Sequence, residues 1–221
     1  MTNTLPKFPV TQVGSWPRSQ MMLKALRDHR TGRIGRDEFE RIADAEVKRT
    51  VEIQEEIGVD IIVDGEHWRD NFYSFLTNKV EGTKLMSLAD MLDTVEDKSS
   101  FEEMLSTLDV PASTIRNPTC VAKLSRREPL AVNEFRFVRS ISTKPVKMTL
   151  PGPYLLTRSM WVTALSQDAY DDKTEMADDV VKMLHDELVE LRDAGCDFVQ
   201  FDEPVLTEVV LSKDKDRRTF M

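Results

Sequence analysis

Two stretches of the chain place carboxylates directly after apolar, strand-like runs. "AGCDFVQFDEPVL" (residues 194–206) ends on Asp202 and Glu203, with Pro204 as the stop, and "IGVDIIVDGEHWRD" (57–70) reaches Asp64, Gly65 and Glu66. Both follow one plan: a helix closing on glycine, any residue, an aspartate, an apolar strand, then acids. Carboxylates gathered at strand ends can hold a cationic group such as an ammonium, or hold and move a proton. Two more strand candidates end in punctuated turns, Gly14-Ser15 in "PVTQVGSWPR" and Pro151-Gly152-Pro153 in "KPVKMTLPGPYLL". Acids after a strand also cap the helix that follows, and for one isolated pair that reading is equally good. Four such loops in corresponding positions favour a shared mouth, with Gly14, Asp64, His67 and Glu203 as further candidates to line it.

The remaining reactive side chains read as structural. Asp60 and Asp197 sit at the opposite, N-terminal strand ends, where an aspartate bonds a tight turn. Cys196 shares that end. His29 reads as part of a charged loop, and His185, in mid-helix, as solvent-facing or packed. The methionines and the aromatics of "NFYSFL" read as core. Lys123 and Lys147 lie in strand candidates, where a Schiff-base lysine is a remote option that no neighbouring residue type supports.

Alternation of strands and helices positions these groups. A charged helix is predicted over about Arg36 to Ile57, with Phe39, Ile42, Ala43, Val47 and Val51 near helical spacing, Asp37 and Glu38 in its first turn, and Gly58 as the stop. "DKTEMADDVVKMLHDELVELRDAG" predicts a second, with Met176, Val180, Met183, Leu184, Leu188 and Leu191 along one face. "VDIIVDGE" lacks alternation, as a strand covered on both faces should. "TCVAKLS" is a weaker strand candidate, and "LAVNEFRFVRSIS" reads as helix on the spacing of Phe135, Val138 and Ser142. The segment at about 80–117, with helical patches "MSLADML" and "SSFEEMLSTL", reads as an excursion within one domain covering residues 1–221. Strands alternating with helices imply parallel pairing through right-handed crossovers. No G-x-G-x-x-G follows the first strand, which weakens a nucleotide-binding doubly wound sheet. The expected fold is α/β of the (β/α)8 TIM-barrel type, in which functional groups gather at the C-terminal strand ends.

Bulk properties set limits. The formal net charge of −9 argues against a nucleic-acid or anionic-membrane surface. No run of about 18 apolar residues exists, and the first residues lack the apolar stretch of a signal peptide. Cys120 and Cys196 have no framework spacing, so a reducing cytoplasm is the expected setting.

The motifs "VGSWPR", "VDGEHWRDNF", "KPVKMTLPGP" and "LRDAGCDFVQFDEPVL", in this order, resemble the cobalamin-independent methionine synthase family, in particular its catalytic C-terminal barrel and the shorter stand-alone relatives of that barrel. Asp64, where the long synthases carry histidine, is similar to the stand-alone branch. The resemblance implies a methyltransferase of methionine biosynthesis, in which a zinc-bound thiol such as homocysteine attacks the methyl group of 5-methyltetrahydrofolate. A metal is needed because a thiol of pKa about 8.5 is mostly protonated at neutral pH. It also implies that Ser15 holds the substrate carboxylate and that Glu66 and Asp202 hold its ammonium.

One departure matters. The family's zinc ligands, a His-x-Cys pair, a Glu and a Cys on the sixth to eighth strands, have no counterpart here, so the chain corresponds to about the first five β/α units. It reads as a fragment of a longer protein more readily than as a naturally truncated relative, because an open last strand exposes an edge that invites edge-to-edge pairing with a second copy. Three functions stay open: the methyltransferase or its N-terminal portion, a related zinc-thiolate alkyltransferase using another small thiol or electrophile, and a non-catalytic binding or assembly protein.

Overall fold

Ser19 opens the first helix by accepting a hydrogen bond from the Met22 N–H at 3.1 Å. In the computed structural model, which describes residues 5–71, 73–87, 90, 116–204 and 206, this helix, α1, spans Gln20–Arg30 and α2 spans Arg36–Glu56. His29 therefore lies in a helix, not a loop, and stacks on Phe39 with ring centroids 4.6 Å apart. The loop expectation failed because charge masked the spacing of Met22 and Ala25, which are buried against Phe39 and Ala43. The chain divides into two compact units, one of residues 1–72, 130–150 and 187–201, the other of 73–129, 151–186 and 202–221.

In the first unit, strand segments run parallel in chain order. Thr11 bridges Ile61, and Ile62 bridges Val146. Val146 leads into β3 (Lys147–Pro151), which pairs with β4 (Phe198–Asp202). The Phe198 N–H bonds the Val146 carbonyl at one end of that pair and the Gly152 N–H bonds the Asp202 carbonyl at the other, so the pair is parallel. Ile61, Ile62 and Val63 are all buried, as the absence of alternation predicts. Asp60 and Asp197 are structural, but they reach the neighbouring strand: Asp60 accepts from the Val10 N–H (2.8 Å) and Asp197 from the Val146 N–H (2.9 Å). Helix α3 (Val132–Ile141) is the helix expected from Phe135 and Val138, which are both fully buried.

The second unit holds an antiparallel pair, β1 (Val80–Ser87) and β2 (Arg116–Arg126), in register from Val80–Arg126 to Ser87–Arg116 with an irregularity between Glu81 and Thr83. "TCVAKLS" is thus a strand but pairs with β1, outside the parallel set. The start of the expected helical excursion is extended: Met86 and Ser87 close β1, while the rest of "MSLADML", apart from Asp90, and all of "SSFEEMLSTL" lie outside the described residues. Pro151-Gly152-Pro153, expected as a loop, leads directly into α4 (Pro153–Met160), with proline in the first turn where its missing N–H costs nothing. The short α5 (Thr163–Ser166) bonds β2 through the Ser166 hydroxyl, which donates to the Cys120 carbonyl at 2.9 Å. Tyr170 ties β2 further, accepting from the Leu124 N–H and donating to Asp179, both at 2.7 Å.

Helix α6 (Lys173–Asp193) begins at Asp172, whose Oδ1 accepts from the N–H groups of Thr174 and Glu175. Near its other end Glu187 is fully buried and accepts from three N–H groups at the start of α3: Leu130 (2.8 Å), Ala131 (2.6 Å) and Val132 (3.0 Å). A carboxylate there satisfies the orphan donors of a helix start and meets the positive end of its dipole. Glu187→Ala is expected to destabilise the chain by about 2–4 kcal/mol, because it strands buried donors, and Glu187→Gln by less. Urea denaturation of the three proteins checks this.

Candidate functional site

The turn after the second strand segment is built to aim Glu66. Gly65 has φ 73° and Glu66 φ 57°, two successive left-handed residues. A Cβ on Gly65 would stand 2.8 Å from the Trp16 Cβ, so glycine is required there. For Glu66 the left-handed backbone costs about 1–2 kcal/mol, and neighbouring bonds hold it. Its N–H donates to Asp64 Oδ1 (3.0 Å), its carbonyl accepts from the Arg69 N–H (3.1 Å) and from Arg18 Nη2 (3.2 Å), and Trp16 N–H bonds the Gly65 carbonyl (3.0 Å). Backbone strain kept by surrounding bonds is typical of positions that serve a site.

The Glu66 side chain is buried, and Oε1 accepts from the Thr149 hydroxyl of β3 at 2.8 Å. Thr149 in turn accepts from Arg69 Nη1, through its hydroxyl at 3.2 Å and its carbonyl at 2.9 Å. Arg69, 1% exposed, sends Nε (3.0 Å) and Nη2 (2.6 Å) to Glu134 Oε2 on α3. Gly14 closes the other side of Glu66: a Cβ there would lie 2.5 Å from Oε1. The structure thus brings Gly14, Asp64, Glu66 and Arg69 together within the first unit. Ser15, next to Gly14, is exposed.

Burial governs the electrostatics. Asp64 is pushed up to about 6, first by burial, with Glu134 and Glu66 adding to it and Arg69 opposing. Its Oδ1 is bonded, and its Oδ2 is buried without a hydrogen-bond partner among the described residues. Burial alone would lower Arg69, but the carboxylates of Glu134, Asp64 and Glu66 outweigh it and hold the guanidinium charged. His67 is pulled down to about 4, mainly by burial. Its Nε2 pairs with the Thr50 hydroxyl at 2.8 Å and its Nδ1 is buried without a partner among the described residues, so it is a neutral, packed imidazole.

The remaining candidates have contacts of their own. Asp202, half-buried, ends β4 and belongs to the second unit. Glu203 accepts from the Tyr154 N–H (2.7 Å) and the Leu155 N–H (2.9 Å), so both its oxygens cap α4, the helix-capping alternative. Lys147 Nζ donates to the Gln12 carbonyl (2.5 Å) and Gln200 Oε1 (2.7 Å), a cross-strand tie. Lys123 pairs with Glu175 and lies 3.9 Å from the Tyr170 ring centroid. His185 is exposed. The residues that sequence reasoning missed are Arg69, Glu134 and Thr149. Glu134 and Thr149 were signalled only as polar residues within largely apolar stretches, "LAVNEFRFV" and "KMTLP", and Arg69 by its place in "VDGEHWRDNF".

The zinc implied by the resemblance needs three or four ligands in a tetrahedral array. Among the described residues no three of His, Cys, Asp and Glu stand together as such a set. Cys120 donates to the Ala122 carbonyl within β2 and Cys196 to the Phe198 carbonyl at the start of β4, and burial raises both thiols. These donors do not fit a zinc-thiolate centre.

Asp64 and His67 give opposed pH dependences. Between 3.8 and about 6 the folded chain keeps a proton on Asp64 that the unfolded chain releases, so stability falls as pH rises through that window, by about 3 kcal/mol in all. Between 6.5 and about 4 the unfolded chain takes up a proton that buried His67 refuses, so stability falls as pH drops. Asp64→Asn removes only the first effect. Its melting temperature is expected to climb steeply from pH 4 to pH 6.5 where the wild type is flatter, and the variant is expected to be the more stable at pH 7.5. Thermal melts across this range check it, and parallel curves contradict it.

Residues 8–221 match the family model described as the catalytic domain of the cobalamin-independent synthases. The chain is 30% identical over 207 residues to a 5-methyltetrahydropteroyltriglutamate–homocysteine methyltransferase of Thermotoga sp. (strain RQ2), covering 92% of this chain and 25% of that protein. It is 29% identical over 203 residues to a methionine synthase of Sulfurisphaera tokodaii, covering 91% and 53%. It spans about a quarter of the first relative and about half of the second. Among solved structures it is similar to the B12-independent methionine synthase from Shewanella sp. W3-18-1 in complex with selenomethionine, with TM-score 0.59 and 24% identity over 79% of this chain and 45% of that one. That likeness shows the fold and agrees with the expected barrel type. Among the described residues no helix is long and apolar enough to cross a membrane. With the family model matched across residues 8–221, the chain belongs to the cobalamin-independent methionine synthase family, within its catalytic domain.

Proposed function

We propose that the chain supplies the amino-acid-holding part of a methyltransferase that moves a methyl group from a 5-methyltetrahydrofolate to the thiol of homocysteine, giving methionine. The observation that carries this is the setting of Glu66. Its carboxylate is buried, one oxygen is held by Thr149, and the Gly14 backbone packs against it. Three carboxyl groups, Asp64, Glu66 and Glu134, act on one guanidinium, Arg69. That excess of negative charge favours a cation. The α-ammonium of an amino acid supplies one, and Ser15, next to Gly14, takes the α-carboxylate. The ammonium contact of Asp202 rests on the resemblance through "LRDAGCDFVQFDEPVL" alone.

The clamp binds and orients the amino acid, leaving its thiol directed away from the buried carboxylates. The folate donor and the thiol-activating zinc rest on the resemblance to the family alone. An alkyltransferase adding a small amino thiol to another electrophile would use the same clamp, and assays with different methyl and alkyl donors separate the two.

Glu66→Gln is expected to weaken L-homocysteine binding by about 10–100-fold, since a charge-assisted hydrogen bond contributes about 1.5–3 kcal/mol. Ser15→Ala is expected to weaken it less. Calorimetric titration of the purified chain with L-homocysteine checks both. Unchanged affinity in Glu66→Gln would remove Glu66 from the role.

A further inference from the structure

Thr149 carries a hydrogen-bond polarity that its neighbours fix. Arg69 Nη1 donates to the Thr149 Oγ1 at 3.2 Å, and Oγ1 lies 2.8 Å from Glu66 Oε1. An arginine only donates, so the single hydroxyl hydrogen is left for the carboxylate. The order is therefore fixed: Glu134 holds Arg69, Arg69 polarises the Thr149 hydroxyl, and the hydroxyl donates to one chosen oxygen of Glu66. Arg69 cannot swing away, because Nε and Nη2 are both committed to Glu134 and Nη1 also bonds the Thr149 carbonyl at 2.9 Å. Thr149 itself is 1% exposed, in a strand buried along its whole length.

We infer that Thr149 is a positioning residue that sets the selectivity of the site for ligands bearing an α-ammonium. It acts through Glu66. With Oε1 engaged by the hydroxyl, the carboxylate plane is fixed, and Oε2, which no described residue bonds, is the oxygen presented to the ammonium. Without the hydroxyl the carboxylate rotates, or turns to Arg69 and loses its demand for an external cation. The amino group then ceases to be discriminated, although the rest of the ligand still binds. This rests on the proposed role of Glu66 as the ammonium acceptor.

The test compares two ligands on the whole chain: L-methionine, and 4-(methylthio)butanoate, which lacks only the amino group. Thr149→Val is nearly isosteric and removes the hydroxyl, and Thr149→Ser keeps it. The wild type is expected to prefer L-methionine. Thr149→Val is expected to lower that preference about tenfold, chiefly by weakening L-methionine, and Thr149→Ser to stay within about twofold of wild type. If the valine variant does not fold, Thr149→Ala, which removes the hydroxyl without placing a methyl against Arg69 Nη1, gives the same comparison. A preference kept in the hydroxyl-free variants, or a loss shared equally by both ligands, overturns the role of Thr149. A wild type that binds the two ligands alike overturns instead the reading of Glu66 on which it depends.

Discussion

The ion pair between Arg69 and Glu134 is the interaction on which the rest of the site depends. Both groups are almost wholly out of solvent, at 1% and 7% side-chain exposure. A buried charge is tolerated only when it is paired and its remaining donors are satisfied. Arg69 meets that condition by joining three elements: the turn that carries it, helix α3 through Glu134, and strand β3 through both polar atoms of Thr149. The left-handed turn at Gly65 and Glu66 is the counterpart of this arrangement. It brings Glu66 to the same threonine, and the strain is offset by bonds from Asp64, Arg18 and Arg69.

Other titratable groups fall into distinct roles. Asp64, with one oxygen unpartnered among the described residues, has its carboxyl pushed up to about 6 by burial. His67 stays neutral and packs on α2. Glu203 is a helix cap and Glu187 another, so two acids that look reactive in isolation satisfy helix starts. Physically, a carboxylate whose two oxygens are both committed to backbone N–H groups has little left to offer a ligand. Glu66, with one oxygen committed, does.

Much of the parallel frame was legible in the sequence, because burial on both faces leaves continuous apolar runs such as Ile61-Ile62-Val63, and the long helices α2 and α6 show their spacing plainly. Ser15, Glu66 and Asp202 were reachable through short motifs. The supporting network was not. Arg69 lies 65 residues from Glu134 and 80 from Thr149, and long-range partners leave no periodic trace. A glutamate in an apolar helix and a threonine in an apolar strand mark only that some partner exists. Helix α1 was missed for a different reason: its exposed charges outnumber its two buried positions, Met22 and Ala25. The antiparallel pair β1–β2 was obscured because an isolated strand candidate such as "TCVAKLS" does not declare the direction of its partner.

What Glu66 faces decides what this site binds. A crystal structure of the chain soaked with L-methionine measures this directly. The predicted result is an α-ammonium within about 3 Å of Glu66 Oε2, with the Thr149 hydroxyl still on Oε1 and Arg69 still on Glu134. An amino acid bound with its ammonium away from Glu66, or a Glu66 carboxylate turned onto Arg69 with Thr149 released, would contradict it.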